Sequence, residues 1–120
     1  MLAYFEIKKN AGGKYFFSFK RGDGRVILVS QSFADRLSME LCIRYLQTSV
    51  PEIKTSELSN DKTPFILIHH DKDGDYNFTM KGENNVIVLK SEGYKDYEQC
   101  KEGINFFLEH SKTASIVENT

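Results

Sequence analysis

The chain has no apolar run near the ~18 residues that a membrane-spanning helix needs. Its opening, Met1-Leu2-Ala3-Tyr4-Phe5-Glu6, lacks the basic stretch and long apolar core of a secretion signal. Cysteine is scarce. Cys42 and Cys100 are too few for a disulfide framework, and they do not form a Cys-x-x-Cys motif. These absences predict a cytoplasmic, reduced protein. Net charge is small as well, −1 over 120 residues, so no overall field draws in nucleic acid or membrane. There is no glycine-rich phosphate loop, and His69, His70 and His110 fit no nucleophile pattern. The expectation is a protein with no catalytic residues, no metal and no cofactor.

What the chain does contain is a stretch that occurs twice. Tyr76-Asn77-Phe78-Thr79-Met80-Lys81 is followed by Val86-Ile87-Val88-Leu89 and then by Ser91-Glu92-Gly93-Tyr94. About 61 positions earlier stand Tyr15-Phe16-Phe17-Ser18-Phe19-Lys20, Val26-Ile27-Leu28-Val29 and Ser30-Gln31-Ser32-Phe33. Alternation makes strands of Tyr4–Lys8, Tyr15–Lys20 and Arg25–Ser30, joined by turns at Asn10-Ala11-Gly12-Gly13 and Arg21-Gly22-Asp23-Gly24. A helix follows, capped by Asp35, with Met39, Cys42, Ile43 and Leu46 on one stripe. It ends before Pro51, and Val50–Leu58 is β-prone.

The second copy repeats this order. Phe65–His69, Tyr76–Lys81 and Val86–Lys90 are its strands, with turns at Asp71–Gly74 and Glu83-Asn84-Asn85. Asp96 caps its helix, and Gln99 stands where a capping box places it. Cys100, Gly103, Ile104 and Phe107 form the stripe, and Gly103 signals close approach of the helix to the sheet. Ala114-Ser115-Ile116-Val117 closes the copy as a β-prone tail. Ser30 and Ser91 read as hydrogen-bonding strand ends, and the two cysteines as small buried hydrophobes.

The run Gly74-x-Tyr76-x-Phe78, Ser91-Glu92-Gly93-Tyr94, Cys100, Gly103-Ile104 resembles the signature of the YegP-like family, a set of uncharacterised bacterial proteins. The first copy keeps Gly13, Tyr15, Phe17, Ser30 and Ile43, and departs at Gln31, Ser32, Met39 and Cys42. The resemblance implies an α+β fold. Two tandem β-β-β-α-β repeats would form one mainly antiparallel sheet with two helices on one face, and the C-terminal strands would be exchanged between repeats. It brings no catalytic residue and no ligand. The expected layout is a single pseudo-twofold domain over 1–120, with repeats of roughly 1–58 and 64–118 and a linker of roughly 59–63. A unit of ~50 residues buries too little apolar surface to stand alone.

Two surfaces are candidates for binding. If Tyr15, Phe17 and Phe19 face the helices, then Phe16, Ile27, Val29, Phe65, Leu67, Val86 and Val88 face away, among Ser18, Asn77, Thr79 and Lys90. That face is more apolar than an open sheet needs. It is either ordinary scattered surface or a contact surface for a protein partner, a second copy or a flat ligand. The other candidate is a basic patch of Lys8, Lys9, Lys14, Lys20, Arg21 and Arg25 beside Tyr4, Tyr15 and Phe16, the ingredients of single-stranded nucleic-acid binding. It accompanies a charge polarity of +4 over residues 1–48 and −5 over 49–120. His69-His70-Asp71-Lys72-Asp73-Gly74-Asp75 has alternate carboxylates like a calcium loop, but its glycine comes too early and residue 82 is glycine where glutamate is required. It reads as a solvated hairpin turn.

Overall fold

The computed structural model describes residues 2–48, 52–54, 65–81 and 87–120, and for 52–54, 65, 87 and 88 the backbone alone. The first half runs β1 (Ala3–Lys9), β2 (Tyr15–Arg21), β3 (Val26–Ser30), α1 (Arg36–Thr48) and β4 (Glu52–Lys54). The second runs β5 (Phe65–His70), β6 (Tyr76–Lys81), β7 (Ile87–Ser91), α2 (Tyr97–His110) and β8 (Ser115–Glu118).

The matching turns are built alike. The Asn10 amide oxygen accepts from the N–H groups of Gly12 and Lys14, and the Asp71 carboxylate accepts from those of Asp73 and Asp75. Each turn then closes on a left-handed glycine, Gly13 at φ +80° and Gly74 at φ +86°, where a side chain would be strained. The strand ends match too. The Ser30 hydroxyl accepts from Phe17 N–H at 2.9 Å and donates to the Gln31 carbonyl, while Ser91 accepts from Phe78 N–H at 2.8 Å and donates to the Glu92 carbonyl. Each serine thus replaces a ladder bond where two strands part. Asp35 and Asp96 cap the helices, accepting from the N–H groups of Ser38 and Gln99, each at 2.8 Å.

The eight strands among the described residues join one sheet in the order β4-β5-β6-β7-β3-β2-β1-β8. The halves meet at an antiparallel β3–β7 seam, Val29 opposite Lys90. β4 lies parallel to β5 and β8 parallel to β1, so the strand after each helix sits on the outer edge of the other half. That covers two edges that would otherwise be open to pairing.

One face of the sheet carries both helices. Phe5, Ile7, Phe17, Phe19, Leu28, Ile66, Phe78, Met80 and Leu89 form a single cluster with Met39, Ile43 and Leu46 of α1 and Cys100, Ile104 and Phe107 of α2. Each buried phenylalanine or leucine contributes ~1.5–3 kcal/mol relative to exposure. Both helix stripes therefore point as their spacing predicts.

Gly103 corrects the expectation in detail. A Cβ there would lie 2.3 Å from the Tyr94 hydroxyl oxygen, so the glycine makes room for a tyrosine rather than for the sheet. In the first half Phe33 takes the place of Tyr94 and stacks on Phe17 as Tyr94 stacks on Phe78. With no hydroxyl to house, that half carries Cys42 where the other has Gly103.

Candidate functional site

The helix-free face is crossed by a single row of paired residues: Val117, Glu6, Ser18, Val29, Lys90, Thr79, Leu67 and Lys54. Phe16 and Val29 lie half-buried. Ile27 does not belong to this face. Phe19 pairs with Leu28 but Lys20 pairs with Val26, which leaves Ile27 as the extra residue of a β-bulge. A bulge breaks the alternation of side chains, and it turns Ile27 into the core at 1% exposure. Leu67 keeps its place in the row but is 2% exposed, so it offers no contact area. Val86 and the side chains of Phe65 and Val88 lie outside the described residues.

The sequence match of Val26–Val29 with Val86–Leu89 was also one residue out. The bulge between Met80 and Lys81 repeats the first, and Met80 pairs with Leu89 as Phe19 pairs with Leu28. The counterpart of Val29 is therefore Lys90.

The basic residues disperse. On the helix-free face, Glu6 binds Lys20 at 2.7 Å and Lys8 at 3.2 Å. The hydrogen bond from Lys20 is the main reason the Glu6 carboxyl sits below its ordinary value, and Lys8 adds to the effect. Lys9 lies on the opposite face, 5.0 Å from the Tyr15 ring centre. Arg21 is there too, its guanidinium 4.1 Å from the centre of the Phe106 ring on α2. Lys14 is exposed beside the first turn. Lys8 and Lys20 thus stand on one face of the sheet and Lys9 and Arg21 on the other.

Arg21 leads to a feature that the sequence did not suggest. Together with Arg25 and Ile27 from the first half and Tyr94, Gln99 and Glu102 from the second, it lines a cavity of about 90 Å³. The Arg21 Nε is shielded from water and has no hydrogen-bond partner. Neither arginine forms an ion pair among the described residues. Burial is the first cause of a raised Tyr94 pKa, so its hydroxyl stays protonated. Gln99 stands where a capping box needs it, yet no bond returns to the cap, and it lines the cavity instead. The signal in the sequence was the exchange of Tyr94 and Gly103 for Phe33 and Cys42, which marks extra polar volume in one half.

A larger cleft of about 200 Å³ lies between α1 and β8, lined by Ile43, Arg44, Gln47 and Ile116 among others. Its Arg36 is already neutralised by Glu40 and Glu118. Burial raises the thiol of Cys42 to about 12 and that of Cys100 to about 11, so neither supplies a thiolate. The Asp71 turn spends its carboxylate on two backbone N–H groups, and His69 bonds the Thr79 hydroxyl at 3.0 Å while His70 stacks on Tyr76. No three carboxylate, imidazole or thiol groups converge among the described residues. No helix there is long and apolar enough to cross a membrane.

Comparison with known proteins agrees with the architecture. A domain of unknown function, DUF1508, matches twice, over residues 8–57 and 71–118. The chain belongs to this family, as a member with two copies of the domain. It is 29% identical to the UPF0339 protein YegP of Yersinia pestis over 119 residues, covering 99% of this chain and 97% of that protein. It is 24% identical to YegP of Escherichia coli K12 over 120 residues, covering 100% of both. The solution NMR structure of a UPF0339 protein from Shewanella oneidensis superposes with a TM-score of 0.78 at 23% identity, over 98% of this chain and 92% of that one. The NMR structure of Escherichia coli yegP gives 0.76 at 21% identity, over 100% and 95%. The family has no named enzymatic activity or specific function.

Proposed function

We propose that this protein is a non-enzymatic interaction module that presents its helix-free sheet face to an acidic protein partner. The observation that carries this reading is the row from Val117 to Lys54, which crosses all eight strands with both helices on the other side. Half-buried Phe16 and Val29 stand in or beside it among Lys8, Lys20, Lys81 and Lys90, with Glu6 as the acidic counterweight. Half-buried apolar side chains among mainly basic ones suit a protein surface of opposite net charge.

Single-stranded nucleic acid fits less well. Such sites stack bases on exposed aromatic rings. Here the ring–ring contacts among the described residues are all made on the helix side of the sheet or by the helices. The test is a photo-crosslinking amino acid placed at Val29, with a control at exposed Leu2, in cells making the full chain. A discrete adduct with an acidic protein, seen only from position 29 and lost on Lys90→Glu, is the expected result. An adduct with nucleic acid would move the assignment to the second reading. No adduct specific to position 29 would refute both.

A further inference from the structure

We propose that the cavity between the halves is a binding site for a small oxyanion, a phosphate or carboxylate group held by Arg21 and Arg25 with the Tyr94 hydroxyl and the Gln99 amide. A buried donor without an acceptor costs ~1–3 kcal/mol; the Arg21 Nε is such a donor, and the residue that carries it lines this cavity. Guanidinium groups bind carboxylate and phosphate through paired N–H donors. Two of them border the cavity, and neither is neutralised by a carboxylate among the described residues.

The stacking of Arg21 on Phe106 fixes its guanidinium before any ligand arrives, which lowers the ordering cost of binding. The volume of about 90 Å³ sets the size, room for one anionic group and not for a nucleoside. Glu102 lines the same space and opposes an anion. Its carboxylate makes the site selective for groups that engage both arginines, and its removal should tighten binding.

The pseudo-twofold mate of this site carries no charged residue in sequence. Sixty-one positions away, Arg21 answers to Gly82, Arg25 to Val86, Tyr94 to Phe33, Gln99 to Ser38 and Glu102 to Leu41. The cluster is therefore not a by-product of the repeat, since one side alone has the charged residues and the phenol. It shares no residue with the sheet face proposed for partner binding, so the two proposals stand or fall separately.

The experiment is an NMR titration of the full ¹⁵N-labelled chain at constant ionic strength, with sodium phosphate in one arm and sodium acetate in the other. It follows the Arg21 Nε–H signal and the backbone amides of Gln99 and Glu102. Saturable shifts with phosphate assign the site to a phosphate group, and saturable shifts with acetate assign it to a carboxylate. Arg25→Gln, at an exposed position, should weaken the interaction by about tenfold or more, as expected for loss of a charge-assisted bond. Glu102→Gln should strengthen it. No saturable shift with either salt at millimolar concentration would overturn the proposal. So would shifts undiminished in a natively folded Arg25→Gln protein.

Discussion

The two halves share a backbone plan and differ in what fills it. Phe33 and Tyr94 hold the same bridge, each pairing its N–H and carbonyl with the tyrosine that begins the second strand, Tyr15 or Tyr76. One hydroxyl separates the two rings. Where it is absent the helix carries Cys42, and where it is present the helix carries Gly103, whose missing Cβ leaves the oxygen its space. A repeat can thus exchange volume between a strand end and a helix without moving either. In doing so the second half places a protonated phenol at the seam, beside two arginines of the first.

Separating the halves should have the largest effect. Residues 1–61 alone would leave β1 without β8 and β3 without β7, two open edges over half a core. A thermal melt followed by circular dichroism should show no cooperative transition for this fragment, whereas the full chain should unfold in one step. A cooperative melt from a soluble monomeric fragment would show that one half suffices.

A subtler break is Gly103→Ala. Overpacking against Tyr94 should cost about 1–3 kcal/mol, partly offset by the ~1 kcal/mol gain of alanine over glycine in a helix. Tyr94→Phe removes the oxygen at 2.3 Å but leaves the ring Cζ at 2.8 Å, so it should relieve part of the clash, and the double variant should be more stable than the sum of its parts by at least about 0.5 kcal/mol. Chemical denaturation of all four proteins measures this, and strict additivity would mean that the hydroxyl is not what the glycine accommodates.

Ser30→Ala and Ser91→Ala probe the part of the plan that the halves share. Each leaves one strand N–H, of Phe17 or Phe78, without its acceptor, and each should cost about 1–2 kcal/mol. The losses should agree closely and add. A large disparity would mean that one of the two strand ends has a second support.

The smallest effect is electrostatic and confined to the first half. Glu6 is held below its ordinary value of 4.5 by Lys20 and Lys8. Its contribution is therefore present above the unfolded pKa and lost as pH falls through the lower, folded one. The stability gap between wild type and Glu6→Gln should shrink from about pH 6 to about pH 3, and the gap itself should be under ~1 kcal/mol because the group is near water. The second half has Leu67 at the matching position. Leu67→Gln should therefore carry no such pH dependence.

The elements were legible because their signals are local. Alternation, turn glycines and helix stripes placed every strand and helix among the described residues, and the aspartate caps behaved as their spacing says. The exchanged edge strands rested on family resemblance, since two short β-prone tails carry no record of their partners. The face assignment failed where alternation itself fails. Ile27 sits at a bulge, and one unpaired residue reverses which side its neighbours face. The same slip hid the opposition of Val29 and Lys90. The seam cavity was illegible for a different reason. Arg21, Arg25, Tyr94, Gln99 and Glu102 are scattered over eighty positions, and only the β3–β7 pairing brings their turns and helix together. Read singly, Arg21 belongs to a turn, Arg25 to the start of a strand and the glutamine to a cap.

The parallel pairing of β8 with β1 sets an order on biosynthesis. Tyr4 pairs with Ser115, so β1 acquires its outer neighbour only after β8, made more than a hundred residues later, has left the ribosome. Until then Phe5 and Ile7 belong to a sheet with an unfinished rim, and the nascent chain must hold that edge away from other chains. The basic Lys8 and Lys9 at the end of β1 are charges of the kind that keep such a rim solitary.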